Sequence, residues 1–309
     1  MLSEYARHVA QGFSPAFRRK AEALRHAVQP TIFAALLLFA QLPTELPSTK
    51  FTSGQDIQPY FEGWIHNPDG TFDLVFGYFN RNWQQELPIP AGAENAVEPG
   101  GPDRGQPTYF LPRRQGWVYR VRVPRDFGKQ VLTWTIIANG KTQKAFGELL
   151  PVEEITERII MTHGNLNPGE DDPNKPPVIA IAAVTAPALN APVTLSATVT
   201  DDGLPKPRPA APPRPTTAPG DATAIQAQAN SSAVARPRGL TVAWMQIRGP
   251  AKIVFDRTGA TSVANGKADV TVRFSERGTY VVRAIANDGA LSTKTDVTVS
   301  VGGPAAAGR

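Results

Sequence analysis

The sequence predicts an all-β protein of two β-sandwich domains behind an N-terminal segment of a different character. Three observations carry that prediction. Runs of β-branched and apolar residues alternate with polar ones at period two, which turns one side of each run inward and the other toward water. Gly, Pro, Asn and Asp bound these runs, and Asp-Gly and Asn-Gly pairs suit the positive φ angles of tight turns. Finally, 309 residues are enough for two domains of ordinary size plus linkers.

Residues 1–30 are polar, with a basic cluster at Arg18, Arg19, Lys20 and Arg25, and residues 31–40 then form an apolar run ahead of Pro43. A bilayer span needs roughly 20 apolar residues, so this run is too short for a comfortable transmembrane helix. Basic flank, short apolar core and polar extended sequence are the parts of a secretory signal. Residues 1–42 are therefore expected to be a signal peptide or membrane-anchor segment, and the protein to be exported, whether periplasmic, cell-surface or held at the inner membrane. The competing reading is a buried or amphipathic helix of a cytosolic protein. Residues 43–58 read as a tether.

From Pro59 the chain becomes aromatic and strand-like. Asn67-Pro68-Asp69-Gly70 between two such runs predicts a hairpin, and Phe72, Leu74, Phe76 and Tyr78 fall on one face of the second run. A Pro/Gly/Glu-rich loop over 87–107 follows. Trp117, Tyr119, Val121 and Val123 then share a face, with Arg120 and Arg122 opposite, and a further hairpin turns at Asn139-Gly140. Residues 59–150 thus predict one aromatic-rich β-sandwich. Residues 151–177 read as a linker, with a short helix or extended connector over 152–162.

Strand-like runs return at 176–184, 191–200, 240–255, 266–274, 278–289 and 290–301. This spacing predicts an immunoglobulin-like sandwich over 178–301. Residues 205–238 interrupt it with a Pro/Ala/Thr-rich insertion that has no aromatic residue. Such a segment buries too little surface to offset its chain entropy, so disorder is expected there and in the tail 302–309. Within this region, Thr198-Val199-Thr200-Asp201-Asp202-Gly203-Leu204-Pro205, then Trp244, Gln246, Gly249 and Pro250, then 278–289 resemble the PKD repeat and the related receptor-for-egg-jelly domains. The long insertion between Gly203 and Gly239 departs from that pattern. The resemblance implies an extracellular spacer or binding module that stands beside enzymes or adhesins and is not itself a catalyst.

The net charge of +5 is not gathered into one stripe, so no nucleic-acid surface is expected. Cysteine is absent, which removes disulfides, thiolate metal sites and cysteine nucleophiles together. His8, His26, His66 and His163 carry no metal-ligand or triad motif around them. Two features stand above this background. Asp171, Asp172, Asp201, Asp202 and Asp288 come from three segments that share one end of an immunoglobulin-like sandwich, and hard oxygen ligands so gathered could hold Ca²⁺. Asp-Asp-Gly and Asn-Asp-Gly also form turns for their own backbone reasons. The 170–174 stretch loosely resembles cadherin junctions without matching their full ligand pattern.

The second feature is aromatic density: Tyr60, Trp64, Trp83, Tyr109, Trp117 and Trp134. Alternation assigns Trp117 and Trp134 to the core, and Trp83, beyond a strand end, is the candidate for ligand contact. The expected function is that of an exported, non-enzymatic binding, adhesion or spacer module at the cell envelope. Its partners would be protein or glycan surfaces, with the membrane met only through the N-terminal segment. No cofactor is expected apart from the Ca²⁺ option. A carbohydrate-binding accessory module and a hydrolase with a site in 59–150 are the alternatives.

Overall fold

The computed structural model describes residues 50–164, 173–184, 187–206 and 239–302. The expectations for the signal or anchor segment, the first part of the tether, most of the insertion and tail, and Asp171 and Asp172 lie outside these residues. The rest of the tether, 50–58, is not a free spacer, because Phe51 O and Thr52 O accept backbone bonds from the 83–84 segment, Asp56 is buried and Ile57 opens β1. The described residues belong to one compact unit, Lys50–Arg309. Among them no helix is long and apolar enough to cross a membrane.

The first sandwich opens with β1 (Ile57–His66) and β2 (Phe72–Asn80), joined by the Asn67–Gly70 turn, in which Gly70 N donates to Asn67 O at 2.9 Å. Strand β6 (Arg113–Val123) completes the sheet in the order β1-β2-β6. The 87–107 loop holds more order than its composition implies. Its β3 (Leu87–Pro88) pairs with β5 (Tyr109–Phe110), and its β4 (Asn95–Glu98) joins β7 (Leu132–Ala138) and β8 (Lys141–Gly147) in the opposing sheet β4-β7-β8. The loop is built around two buried amides. Asn95 donates to Ile89 O and Pro107 O and accepts from the Trp134 indole, while Gln106 donates to Asn95 O. Between the sheets lie Leu74, Phe76, Tyr78, Phe110, Tyr119 and Trp134, rings meeting edge-on or stacked at centroid distances of 4.9–6.3 Å.

Trp117 departs from the face assigned to it by alternation. The register of β2 against β6 shifts between Phe76↔Tyr119 and Tyr78↔Gln115, so Gly116, Trp117 and Val118 form a bulge. Trp117 has φ 48°, and its ring packs with Ile65, Val75, Ile155 and Ile160 on the outer side of the sheet. That outer side is covered by the connector: a 3-10 turn, Pro151–Glu153, and helix α1 (Glu157–Met161), N-capped by Thr156. Arg120 pairs with Glu157 of α1, and Arg122 pairs with Asp73 at 2.9 Å.

The second sandwich has the immunoglobulin-like arrangement. One sheet runs β12 (Ile253–Phe255), β14 (Lys267–Phe274), β10 (Val193–Thr200), β9 (Val178–Ile181); the other runs β13 (Ala260–Ser262), β11 (Thr241–Arg248), β15 (Gly278–Asn287), β16 (Ser292–Val301). Tyr280, near the start of β15, donates its hydroxyl to Glu276 O at 2.9 Å, tying the strand to the preceding corner. The Trp-x-Gln…Gly-Pro stretch acquires physical reasons here. Trp244 packs against both halves of the core. Gln246, buried, donates to Ala251 O and accepts from Ile253 N, closing the β11–β12 corner. Gly249 lies against the Tyr280 ring, where any Cβ would collide.

The two sandwiches meet along a packed seam. The outer face of β11 and β15 was expected to be wet. Instead Ile247 joins the first sandwich's core cluster, with Met245 and Val281 packed against it. Ile247 shares the outer face with Met245, at the register shift between Gln246 and Arg248. Around this contact Thr108 N donates to Ile247 O, Lys252 pairs with Glu86 at 2.7 Å, and Arg283 donates to Val118 O at 2.5 Å. Lys294 donates to Trp117 O at 3.0 Å.

Candidate functional site

Trp83 stands on the 81–86 loop that leaves the end of β2, and the loop is unusually well fastened. Asn80 and Asn82 are both fully buried (0% exposed). Asn80 donates to Gln85 O and Phe110 O, and its Oδ1 accepts from Asn82 N and Nδ2. Asn82 in turn donates to Gln55 O and accepts from Gln55 N at 2.7 Å. The loop backbone also pairs with the chain that enters the sandwich, Trp83 N with Phe51 O and Gln84 N with Thr52 O. The frame is rigid, yet the Trp83 residue it carries is 41% exposed. Buried amides cost free energy unless every group is paired, and here that pairing holds an apolar ring out toward water.

The surroundings of the ring are cationic. The Arg113 guanidinium lies over Trp83 at 4.2 Å and over Phe79 at 4.7 Å, and Lys50 Nζ lies 4.7 Å from the Trp83 centroid. Arg114 lies over the half-exposed Tyr60 at 4.9 Å and pairs with Glu62 at 2.9 Å. Arg81 pairs with the buried Asp56 at 3.4 Å. Arg113 and Lys50, in contrast, meet no carboxylate within 4.0 Å among the described residues. Arg113 sits at φ 67°, a backbone region that non-glycine residues seldom adopt, and its partner on β2 is Asn80.

Near the seam, two charges are largely buried and hydrogen-bonded instead, Glu62 and Lys294. The Glu62 carboxylate lies over Gly77, where a Cβ would collide with it, accepts from Trp117 N at 3.1 Å, and pairs with Arg114. Burial raises its pKa above the ordinary carboxylate value, against the pull of Arg114, the Trp117 amide and Lys294. Burial likewise lowers Lys294 from the ordinary 10.5 to about 8, with Arg283 and Arg120 adding repulsion and Glu62 and Asp296 opposing it.

Of the acidic candidates, Asp201, Asp202 and Asp288 cap their own turns. Asp201 Oδ2 accepts from Gly203 N, Asp202 Oδ1 from Leu204 N, and Asp288 Oδ1 from Ala290 N and Leu291 N. The second oxygens of Asp202 and Asp288 take Lys175 N and the Asn174 amide, fastening the entry to the sandwich. Burial and the neighbouring Asp288 and Asp202 raise the Asp201 pKa. Among the described residues no group of three or more acidic or histidine side chains is placed to hold a metal ion.

A groove of about 580 Å³ also opens between the sandwiches, lined by Pro90, Asp103, Thr108, Arg248, Thr279 and Thr298 among others. Its two charges are spent on each other, Arg248 to Asp103 at 2.6 Å, which keeps the Asp103 pKa low. Its lining includes no histidine, lysine or serine. His66 stacks on Phe72 at 5.1 Å, and His163 lies 3.4 Å from the Asn287 amide.

No protein-family model matches the chain, and no curated protein matches it. Among solved structures the chain is similar to a conjugative transposon lipoprotein from Bacteroides eggerthii, at 10% identity and TM-score 0.25, over 41% of this chain and 98% of that one. It is similar to the D00-D0 domain of intimin at 12% identity and TM-score 0.24, over 79% and 99% of the two chains. A chimeric titin Z1Z2 tandem gives 10% identity and TM-score 0.22, over 81% and 97%.

Proposed function

We propose that this chain is an exported, non-catalytic module that works at the cell envelope as a stiff two-sandwich unit presenting a binding face. The observation that supports it best is the seam. Ile247 is only 4% exposed within the other sandwich's core cluster, and a hydrophobic contact of that depth opposes the relative motion that tandem domains otherwise show. A stiff unit holds a binding face at a fixed distance and angle, which is what a spacer or adhesin-type module requires. The resemblance of the Trp244–Pro250 and 278–289 motifs to the PKD repeat supports such use. A second reading, a carbohydrate-binding accessory module, is favoured by the exposed Trp83 on its fastened loop.

Cell fractionation with N-terminal sequencing of the purified protein tests the proposal. Mature protein is expected outside the cytoplasm, or attached to the inner membrane through residues 31–42. Full-length protein found wholly in the soluble cytoplasmic fraction refutes export.

A further inference from the structure

We infer that Arg113, Trp83 and Lys50 form a site for an acidic polysaccharide, with the Arg113 guanidinium reading a carboxylate and the exposed part of Trp83 meeting the sugar ring. This inference rests on the reading of the chain as an envelope binding module. Four observations lead to it.

First, the Arg113 side chain is oriented but unspent. Its flat cation lies over two rings, Phe79 at 4.7 Å and Trp83 at 4.2 Å, yet among the described residues its N–H donors make no hydrogen bond and no ion pair. Ring contacts occupy the faces of a guanidinium and leave its in-plane donors available. Those donors match a carboxylate bidentately, and a side chain already held in place gives up less entropy on binding. Second, Lys50 adds another cation, unpaired among the described residues, 4.7 Å from the same indole, whereas the neighbouring Arg81 and Arg114 are paired with Asp56 and Glu62.

Third, the framework is pre-built. Asn80 and Asn82 fix the Trp83 loop, and β6 holds Arg113 at φ 67° opposite Asn80. A positive φ at an arginine is strained and persists only where the surroundings impose it, and the guanidinium held there lies across the Trp83 ring. Fourth, the count of unspent charges selects the ligand. A nucleic-acid strand is held by a track of several phosphate contacts, and two cations on one aromatic do not make a track. One partly exposed indole with an adjacent carboxylate-reading fork suits a single uronic-acid unit, repeated along a chain.

The experiment uses the full chain and measures binding to polygalacturonate by calorimetry, beside dextran as a neutral polysaccharide and a single-stranded oligothymidylate. Polygalacturonate is expected to bind, with affinity falling as NaCl is raised from about 50 to 500 mM. Arg113→Asn is the principal variant, because Asn accepts positive φ readily and removes the guanidinium without disturbing the turn. It is expected to lower affinity roughly tenfold or more, the value of a charge-assisted bidentate contact. Lys50→Ala, at an exposed position, is expected to lower affinity less, and serves if Arg113→Asn does not fold. Equal binding of dextran, or polygalacturonate binding that survives both variants, overturns the acidic-sugar inference and leaves the envelope module standing. Tighter binding of the oligothymidylate overturns it in favour of a nucleic-acid strand. No binding to any of the three overturns it as well, while fractionation decides export separately.

Discussion

The start of strand β6 and its bulge handle positive charge in opposite ways. At its bulge, the carbonyls of Trp117 and Val118 receive Lys294 and Arg283 from the second sandwich, with Glu62 and Asp296 close by. At its start, Arg113 lies over two rings and meets no carboxylate. The difference follows from solvent. A buried charge without partners costs several kcal/mol, so the seam must satisfy each donor. Even satisfied, it carries a penalty, because burial still lowers the Lys294 pKa and raises that of Glu62. Such a seam contributes geometry more than stability; its net attraction comes from Ile247, Met245 and Val281. The exposed end can keep its cations unpaired at small cost, and unpaired cations are what a ligand can use.

The largest expected effect comes from breaking the apolar part of the seam. Ile247→Ala removes a side chain buried in the first sandwich's core cluster. It should cost about 2–5 kcal/mol, the range for truncating buried aliphatics. At roughly 2–4 °C per kcal/mol for a unit of this size, the melting temperature should fall well outside error. Scanning calorimetry checks it, and an unchanged melting temperature would mean that the sandwiches merely touch.

The charged part of the seam should show in the pH dependence of stability. Lys294 titrates at about 8 in the fold and near 10.5 when unfolded. Between those values the unfolded chain holds more protons, so stability should rise with pH across that window, by about 3 kcal/mol in all. Below pH 8 the full penalty is present and flat. Tyr78 and Tyr119, raised by burial, act with the opposite sign above pH 10. The informative quantity is therefore the wild-type minus Lys294→Met difference from urea melts at pH 7, 8, 9 and 10. A difference that does not change with pH would show that Lys294 is solvated.

An intermediate effect is expected in the frame of the exposed end. Asn82→Ala leaves the part-buried Gln55 N and Gln55 O without their partner, costing about 1–3 kcal/mol. It should also raise amide exchange across residues 80–86, whereas exchange at the seam should stay unchanged.

The legible and illegible parts of this fold divide along physical lines. Period-two alternation marked β2, β7, β10, β14 and β15, because alternate residues of each point into a sandwich core. Turn chemistry marked the Asn67–Gly70 and Asn139–Gly140 hairpins. What escaped was structure made by long-range partners. Strand β4 has four residues and exists because β7 pairs with it and the buried Asn95 amide organises the loop beside it. Trp117 was assigned to the wrong face because a bulge resets the period, and the preceding Gly116 was the only local hint. The seam had a readable sign that alternation alone overlooks: Met245, Ile247 and Val281 are apolar on the face opposite Val242, Trp244 and Val282. Strands apolar on both faces are covered on both. Trp83 was singled out from sequence by its place beyond a strand end. Its cations were not, since Lys50 and Arg113 lie 33 and 30 residues away along the chain and only the β2–β6 pairing and the 51–55 segment bring them together.

The smallest stability effect should be at Trp83 itself, and it separates a binding residue from a structural one. The bonds that fasten its loop are made by the backbone of Trp83 and by Asn80 and Asn82, so Trp83→Ala leaves them in place. Lost are the covered part of the ring and its contacts with Arg113 and Lys50. Cation–π pairs at exposed sites contribute about 0.5–1 kcal/mol, and truncation of a half-exposed ring that leaves no buried cavity adds little more. The melting temperature should therefore fall by less than about 4 °C, clearly less than for Ile247→Ala measured side by side. A loss as large as that of Ile247→Ala would make Trp83 a strut of the first sandwich, and its exposure incidental.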